Sequence, residues 1–302
     1  MKSTLLHLRI PFSFFLMPVF WFALSQSSTL HTDKAILVFI LLHLLIYPAS
    51  NAYNSFYDKD ESSIGGLENP PPVTKDLYYT AWCLDIAAII LAWFFDSWIL
   101  ALGLFLYSTV SKAYSYDKVR LKKYPIISWL TVGVFQGGFT YLLVLQSAGQ
   151  LTWSELFSSN NLLPAVLSTC NLLGFYPMTQ VYQHEEDAKR GDLTISRLLG
   201  IRGTFLFTAG IFSLVTVGFY FFFAGKMMMG FPIFLIYLLI LSPVLLFFNL
   251  WFIKVLKNEA FANFKNTMIL NFLGGICLNA FFILIFLKKV KKLVILQEND
   301  NQ

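Results

Sequence analysis

Two short stretches of this sequence carry chemically capable side chains in the same order. The first runs Tyr47-Pro48-Ala49-Ser50-Asn51-Ala52-Tyr53-Asn54-Ser55-Phe56-Tyr57-Asp58, and the second Tyr176-Pro177-Met178-Thr179-Gln180-Val181-Tyr182-Gln183-His184-Glu185-Glu186-Asp187. At a constant offset of 129 residues, Tyr, Pro, Tyr and Asp recur identically, and Asn51 and Asn54 meet Gln180 and Gln183, amide for amide. The intervals i, i+3 and i+7 place Asn51, Asn54 and Asp58 on one face of a helix, and predict the same for Gln180, Gln183 and Asp187. Carboxylates with amide oxygens beside them suit hard cations, and Mg²⁺ takes one or two carboxylates together with waters and substrate phosphates. Two such sites would clamp a diphosphate between two metals. In the competing structural reading the amides cap helix ends and the acids pair with Lys or Arg. The matched placement of the two carboxylates favours metal and diphosphate.

The elements that must hold these residues are membrane helices. Of 302 residues, 57% are hydrophobic, 32 are Phe and only 13% are charged, against roughly 25% charged in an ordinary soluble domain. The apolar residues fall in long runs. Such a composition excludes a disordered chain, a secreted disulfide scaffold and a nucleic-acid-binding domain. Cys83, Cys170 and Cys277 are too scattered for a metal or disulfide framework. The predicted fold class is therefore all-α, a polytopic membrane bundle forming a single domain over residues 1–302. Nine spans are expected, at about 10–27, 35–53, 77–95, 98–112, 126–147, 162–182, 204–224, 231–253 and 267–287. Four spans separate the two copies, so both enter from the same side, as in a parallel internal repeat. With the N-terminus placed inside, 16 of 22 basic residues lie on the inner side, which the positive-inside rule supports. Lys34, Lys226 and the four lysines of Lys288–Lys292 are the exceptions. Ten of 17 acids cluster on the same side as the repeat, which topology does not require.

These motifs resemble the UbiA superfamily of intramembrane prenyltransferases. The family pattern Asn-x-x-x-Asp-x-x-x-Asp is met at Asn54 and Asp58, while its third acid falls on Ser62. If the helix continues, Glu61 points about 60° from Asp58 and Asp60 to the opposite face. Glu61 is then the expected substitute, with Asp60 usable if the helix ends early. The second motif is matched through Asp187, Gly191 and Thr194, with Gln183 where the family often has Asp and with Glu185 or Glu186 beside it. Tyr114-Ser115 followed by Arg120-Leu121-Lys122-Lys123-Tyr124-Pro125 is similar to the family's loop after the fourth helix.

The resemblance implies Mg²⁺-dependent transfer of a prenyl chain from an isoprenyl diphosphate to an aromatic or other lipophilic acceptor within the membrane. It assigns metal binding to Asp58, Glu61, Asp60, Glu185 and Asp187, and catalysis to Asp58, Asp187, Asn54 and Gln183. Substrate contacts fall to Asn51, Gln180, Tyr53, Tyr182, Lys118, Arg120, Lys122 and Lys123. His184 is a possible base for an aromatic acceptor, and Asp85 an intramembrane acid that faces either a cavity or a partner. The partners expected are membrane lipids and the two substrates, with no nucleic acid and no required protein partner. The expected location is the plasma (inner) membrane, with the site on the cytoplasmic side. A transporter or binding protein for an anionic lipid, or a degenerate family member, is the alternative. A phosphatidyltransferase is not, because no Asp-x-x-Asp-Gly-x-x-Ala-Arg run occurs.

Overall fold

The computed structural model describes residues 2–226 and 230–300, with side chains for all of these except residues 226, 230 and 292–300. It is all-helical. Short α1 (Lys2–Leu8) leads through a tight turn, Ile10–Phe15, into α2 (Met17–Gln26). The long helices follow: α3 (Thr32–Asp58), α4 (Lys75–Phe95), α5 (Trp98–Ser115), α6 (Pro125–Gly149) and α7 (Ser159–Thr179). Short α8 (His184–Lys189) precedes α9 (Ile195–Lys226), α10 (Gly230–Lys257) and α11 (Phe264–Asp300). Last helix α11 packs on α2, and α2 packs on α6, so the chain closes around a shared interior.

Among the described residues, seven helices are long and apolar enough to cross a membrane, or eight if bent pair α1–α2 counts as one span. The expected nine are not reached by this measure. The shortfall is α5, the short fourth span, whose second half carries Ser108, Thr109, Ser111, Lys112 and Ser115. Many large apolar side chains point outward, Phe94 and Leu239 with 75% and 72% of their surface exposed, as lipid contact demands. The interior is aromatic: Phe22 stacks on Phe282 at 4.4 Å and touches Tyr141, Phe219 and Phe222.

Two helices open into wide turns, and each opening has a cause. Pro48 in α3 has no N–H for the carbonyl four residues back, and the turn just before it, Leu41–Ile46, widens. In α6 the wide turn Val134–Phe139 contains Gly137 and Gly138. A Cβ on Gly137 would lie 2.6 Å from Thr169 Cα and 2.8 Å from the Ser168 carbonyl oxygen, so α7 rests directly on bare backbone. Gly138 N–H donates across the contact to Thr169 Oγ1 at 3.0 Å. Small residues of this kind let membrane helices approach, and polar ones bind them.

The C-terminal lysines divide. Lys289 donates to the Leu24 carbonyl at 2.9 Å and to the Ser27 carbonyl, capping the end of α2 far from Asp58. The side chains of Lys226 and Lys292 lie outside the described residues. The basic exception on that face is thus partly a helix cap.

The α6–α7 contact predicts that Gly137→Ala lowers the thermal midpoint of the detergent-solubilised protein, with a cost of about 1–3 kcal/mol from overpacking. Gly210→Ala, where nothing lies within 4 Å of the new Cβ, should leave it unchanged or raise it. A scan of intrinsic fluorescence against temperature for the two variants decides the matter.

Candidate active site

The polar stripe on α3 ends with the helix. Asp58 is its last residue, and Lys59 adopts the left-handed conformation (φ 50°, ψ 41°) while its N–H closes on the Ser55 carbonyl. This cap turns the chain. Asp60 lines the cavity described below, and Glu61 is exposed. The expectation that the helix continues to present Glu61 is therefore corrected: the helix breaks, and the acid beside the site is Asp60.

The second copy departs further from a helical stripe. Pro177 turns the end of α7 into a tight turn, Tyr176–Thr179, and a new helix starts only at His184. Gln180, Gln183 and Asp187 thus do not share one helix face. They nevertheless reach one place. Asn51, Asn54 and Asp58 from α3 and Gln180, Gln183 and Asp187 from the α7–α8 segment all line a single cavity of about 320 Å³. The sequence repeat becomes a convergence of two structurally unlike halves.

One end of the cavity is charged. Asp58, Asp60, Glu186 and Asp187 line it, with Lys122 and Arg9. Asp58 is 5% exposed. One of its oxygens, Oδ1, is bonded by Lys122 and lies 3.7 Å from Arg120 and 3.6 Å from Arg190. The other, Oδ2, accepts from Asn54 at 2.8 Å, and Asn54 donates also to Ser115. Lys122 reaches Asp192 at 3.3 Å, and Arg120 holds Asp192 in a two-pronged contact of 2.8 and 3.0 Å. Burial would raise the Asp192 carboxyl, but Arg120 and Lys122 outweigh it and hold it below the usual carboxylate range.

Asp187 is placed differently. Its carboxylate accepts from Thr194 at 3.1 Å, and among the described residues no basic group pairs with it within 4.0 Å. Burial pushes it up to about 7, against the more distant pull of Lys122. Burial and the neighbouring Asp58 likewise push Asp60 up to about 6, although Arg190 stands 3.2 Å away. Gly191, with φ 72°, supplies the left-handed turn that brings Asp192 N–H onto the Asp187 carbonyl at 2.9 Å.

Below the charged end the walls are tyrosine and hydrocarbon. Tyr47 and Tyr107 stand 5.8 Å apart, ring to ring, and the Tyr114 and Tyr176 hydroxyls are hydrogen-bonded to each other. All four line the cavity, as does Tyr182, and so do the apolar side chains of Phe15, Leu16, Val19 and Leu278.

Several expected contacts lie elsewhere. Lys118 and Glu185 are exposed, and Lys123 sits over the Tyr124 ring, so none lines the cavity. Tyr53 faces away, its ring 4.6 Å from the Lys112 ammonium, with Trp82 at 5.2 Å on the same cation. Lys112 in turn pairs with Asp85, so that intramembrane acid has a partner and no place in the cavity. His184 is hydrogen-bonded to Ser196 at 2.8 Å and does not line the cavity either.

Arg9 and Arg190 were not legible as site residues. Arg9, left-handed at φ 46°, donates to the Gly65 and Asn51 carbonyls and packs on Phe12. It lies between two apolar runs, where the positive-inside rule already accounts for a basic residue. Gln136, Asn171 and Asn271 also line the cavity. Each is a polar residue inside an apolar span, a signal that the sequence did carry.

Known structures share this architecture. A UbiA homolog from Aeropyrum pernix K1 superposes with a TM-score of 0.67 at 18% identity, over 91% of this chain and 98% of that one. A UbiA homolog from Archaeoglobus fulgidus, bound to GPP and Mg²⁺, gives 0.65 at 14% identity, over 94% and 99%. A digeranylgeranylglyceryl phosphate synthase gives 0.59 at 15% identity, over 96% and 98%. These likenesses establish the fold. No functionally curated sequence matches the chain. Residues 15–273, which carry both copies of the repeat and nearly the whole cavity wall, match the model of the UbiA prenyltransferase family. The chain belongs to that family.

Proposed function

We propose that the protein transfers a prenyl chain from an isoprenyl diphosphate to a lipophilic acceptor held in the same membrane cavity. The observation that carries this reading is the cavity itself, with acids, amides and a buried ammonium at one end and tyrosine and hydrocarbon beyond. An amphiphile with a diphosphate head and an apolar allylic tail has this polarity. Family membership supports a prenyltransferase, and the Archaeoglobus homolog with GPP and Mg²⁺ supports an isoprenyl diphosphate as donor.

The residues fit a divalent cation in part. Asp187 is a half-buried carboxylate with one hydroxyl partner, and Asp60 and Glu186 line the same end. Burial pushes two of these carboxyls, Asp60 and Asp187, up and so disfavours their ionised form, which a bound cation would restore. Asp187, Asp60 and Glu186 would hold Mg²⁺. Bound there, it would offset the charge of the diphosphate as a leaving group. No group of three or more His, Cys, Asp or Glu side chains is already gathered around one metal position among the described residues.

The chain's own residues do the rest. Lys122 places an ammonium beside the diphosphate. The allylic C–O bond breaks and its electron pair leaves with the diphosphate. Positive charge then develops on the prenyl carbon. Tyr47, Tyr107, Tyr114 and Tyr176 offer ring faces and hydroxyl dipoles to that charge, while the apolar wall keeps out water that would otherwise capture it. A nucleophilic atom of the acceptor forms the new bond to that carbon and releases a proton. The site end is the Lys- and Arg-rich end of the bundle, which supports a cytoplasmic location in a plasma (inner) membrane.

Detergent-purified protein given geranyl or farnesyl diphosphate and a lipid extract should release pyrophosphate only with Mg²⁺ present. Absence of release with every extract would sink the reading in favour of lipid binding or transport. Asp187→Asn should lower turnover at least ~10³-fold, since charge stabilisation of several kcal/mol is lost, while the melting temperature holds. Asp60→Asn should impair turnover more than Glu61→Gln, because only Asp60 lines the cavity. The reverse ranking would mean that the helix runs on past Lys59. Orientation has its own check: a cysteine at Ser158, with Cys83, Cys170 and Cys277 replaced, should react with an impermeant thiol reagent from outside the cell only.

A further inference from the structure

Away from the charged end, the cavity wall carries a second set of polar groups that the transfer step does not use. Gln136 on α6, Asn171 on α7 and Asn271 on α11 line it, with Thr131 on α6. We infer that these groups bind the acceptor, and that they select one that is uncharged and carries hydrogen-bonding oxygen atoms. The inference deepens the prenyl-transfer reading above and rests on it.

Their depth suits an acceptor. Gln136 lies eleven residues beyond Pro125, Asn171 eight before Thr179 and Asn271 seven beyond Phe264. Those three helix ends are the ones near the charged groups: Pro125 follows Lys122, Thr179 precedes Gln180 and Gln183, and the Phe264 ring stands on Tyr182 at 5.4 Å. At ~1.5 Å per residue the amides are roughly 10–16 Å along their helices from that side. A diphosphate at the charged end puts the allylic carbon between that end and the amides, where an acceptor held by them would meet it.

Amides in apolar spans need partners, because an unpaired polar group away from water costs free energy. Outside the cavity that need is met. Asn249 donates to the Leu245 carbonyl of its own helix at 2.7 Å, and Asn279 donates to the Phe14 carbonyl at 3.2 Å. Neither lines the cavity. Inside it, Gln136 pairs with the Tyr107 hydroxyl. The side chains of Thr131, Asn171 and Asn271 have no hydrogen-bond partner among the described residues, although Asn271 is only 6% exposed. An amide supplies two donors and an acceptor. A prenyl hydrocarbon answers none of them, whereas hydroxyl or carbonyl oxygens do.

Charge decides the class. Among the described residues, every Lys, Arg, Asp and Glu of the cavity wall belongs to the charged end. Lys122 is engaged there by Asp58 and Asp192, and Arg9 by the Gly65 and Asn51 carbonyls. A carboxylate on the acceptor would find no cation at the amides, and at the charged end it would compete with the diphosphate. A buried carboxylate without a partner is costly. An uncharged acceptor meets neither penalty.

The test uses the full chain in detergent with geranyl diphosphate and Mg²⁺. A membrane lipid extract is split by anion exchange into neutral and acidic fractions, and each is supplied as the source of acceptor. Pyrophosphate release with the neutral fraction, and not with the acidic one, is expected. Release with the acidic fraction, alone or at a comparable rate, would overturn the inference and leave prenyl transfer intact. Release with neither would remove prenyl transfer, and the inference with it. Asn171→Leu and Asn271→Leu should each raise the amount of neutral fraction needed for half-maximal rate about tenfold, while the KM for geranyl diphosphate stays within about twofold. Their melting temperature should hold or rise, because an amide without a partner leaves an apolar interior. Amides that only join helices would give the opposite pattern, a lower melting temperature with an unchanged acceptor requirement, and that result overturns the assignment. Asn249→Leu is the control outside the cavity and should leave the acceptor requirement unchanged. The fractions given to the unaltered protein decide the class even if a variant fails to fold.

Discussion

The pairing of Asp58 with Lys122 is the interaction on which the rest of the site depends. Charge at the end of a helix bundle in lipid must be balanced before it can act. Here the balance is a chain of contacts. Asn54 and Lys122 hold Asp58, Lys122 also reaches Asp192, and Arg120 holds Asp192. The chain ties α3 to the loop after α5 and to the segment after α8, so three parts of the sequence become one wall. The partners differ in consequence. Asp192 is locked by Arg120 and held ionised, which suits a support. Asp187 accepts from a hydroxyl and, among the described residues, has no base within ion-pair distance.

The backbone that presents these groups is irregular where it has to be. A regular spanning helix would aim every polar side chain at a neighbour or at lipid, and membrane depth tolerates bent backbone only inside protein. The irregularities sit at prolines and glycines. Pro48 follows the widened turn of α3, Pro177 ends α7, and Gly137 and Gly138 lie within the widened turn of α6. At one of them the backbone finds a partner across the helix contact, Gly138 N–H donating to Thr169 Oγ1. The two lysine-containing turns work similarly. Lys59 and Arg120 both take left-handed conformations at the site's edge, which ends one helix at Asp58 and aims Arg120 at Asp192.

Much of this was legible in the sequence. The apolar runs specify membrane helices, and the i, i+3, i+7 stripe of Asn51, Asn54 and Asp58 survives because α3 stays helical up to its last acid. The repeat correctly brings Gln180, Gln183 and Asp187 to the same cavity, although through a broken segment and not a helix face. What was illegible depended on where a helix ends. Nothing in Asp58-Lys59-Asp60-Glu61 announces that Lys59 will be left-handed, and that one dihedral exchanges Glu61 for Asp60. Tyr53 misled for a related reason. It repeats at Tyr182, but it sits on the other side of α3, where Lys112, buried for its pairing with Asp85, needs an aromatic neighbour.

Lys112 and Lys122 show why burial alone does not mark a functional charge. Both are buried lysines paired with a buried aspartate. Lys112 is enclosed: Asp85 takes its charge, and Tyr53 and Trp82 cover it with ring faces, so it links α4 to α5 and is spent on doing so. Among the described residues Lys122 has no aromatic cover. It has two carboxylates behind it and the cavity in front. An ion pair that is closed on every side contributes to architecture, whereas one left open on the side of a cavity keeps part of its field for a ligand. By that criterion Lys122, and not Lys112, keeps charge facing a ligand.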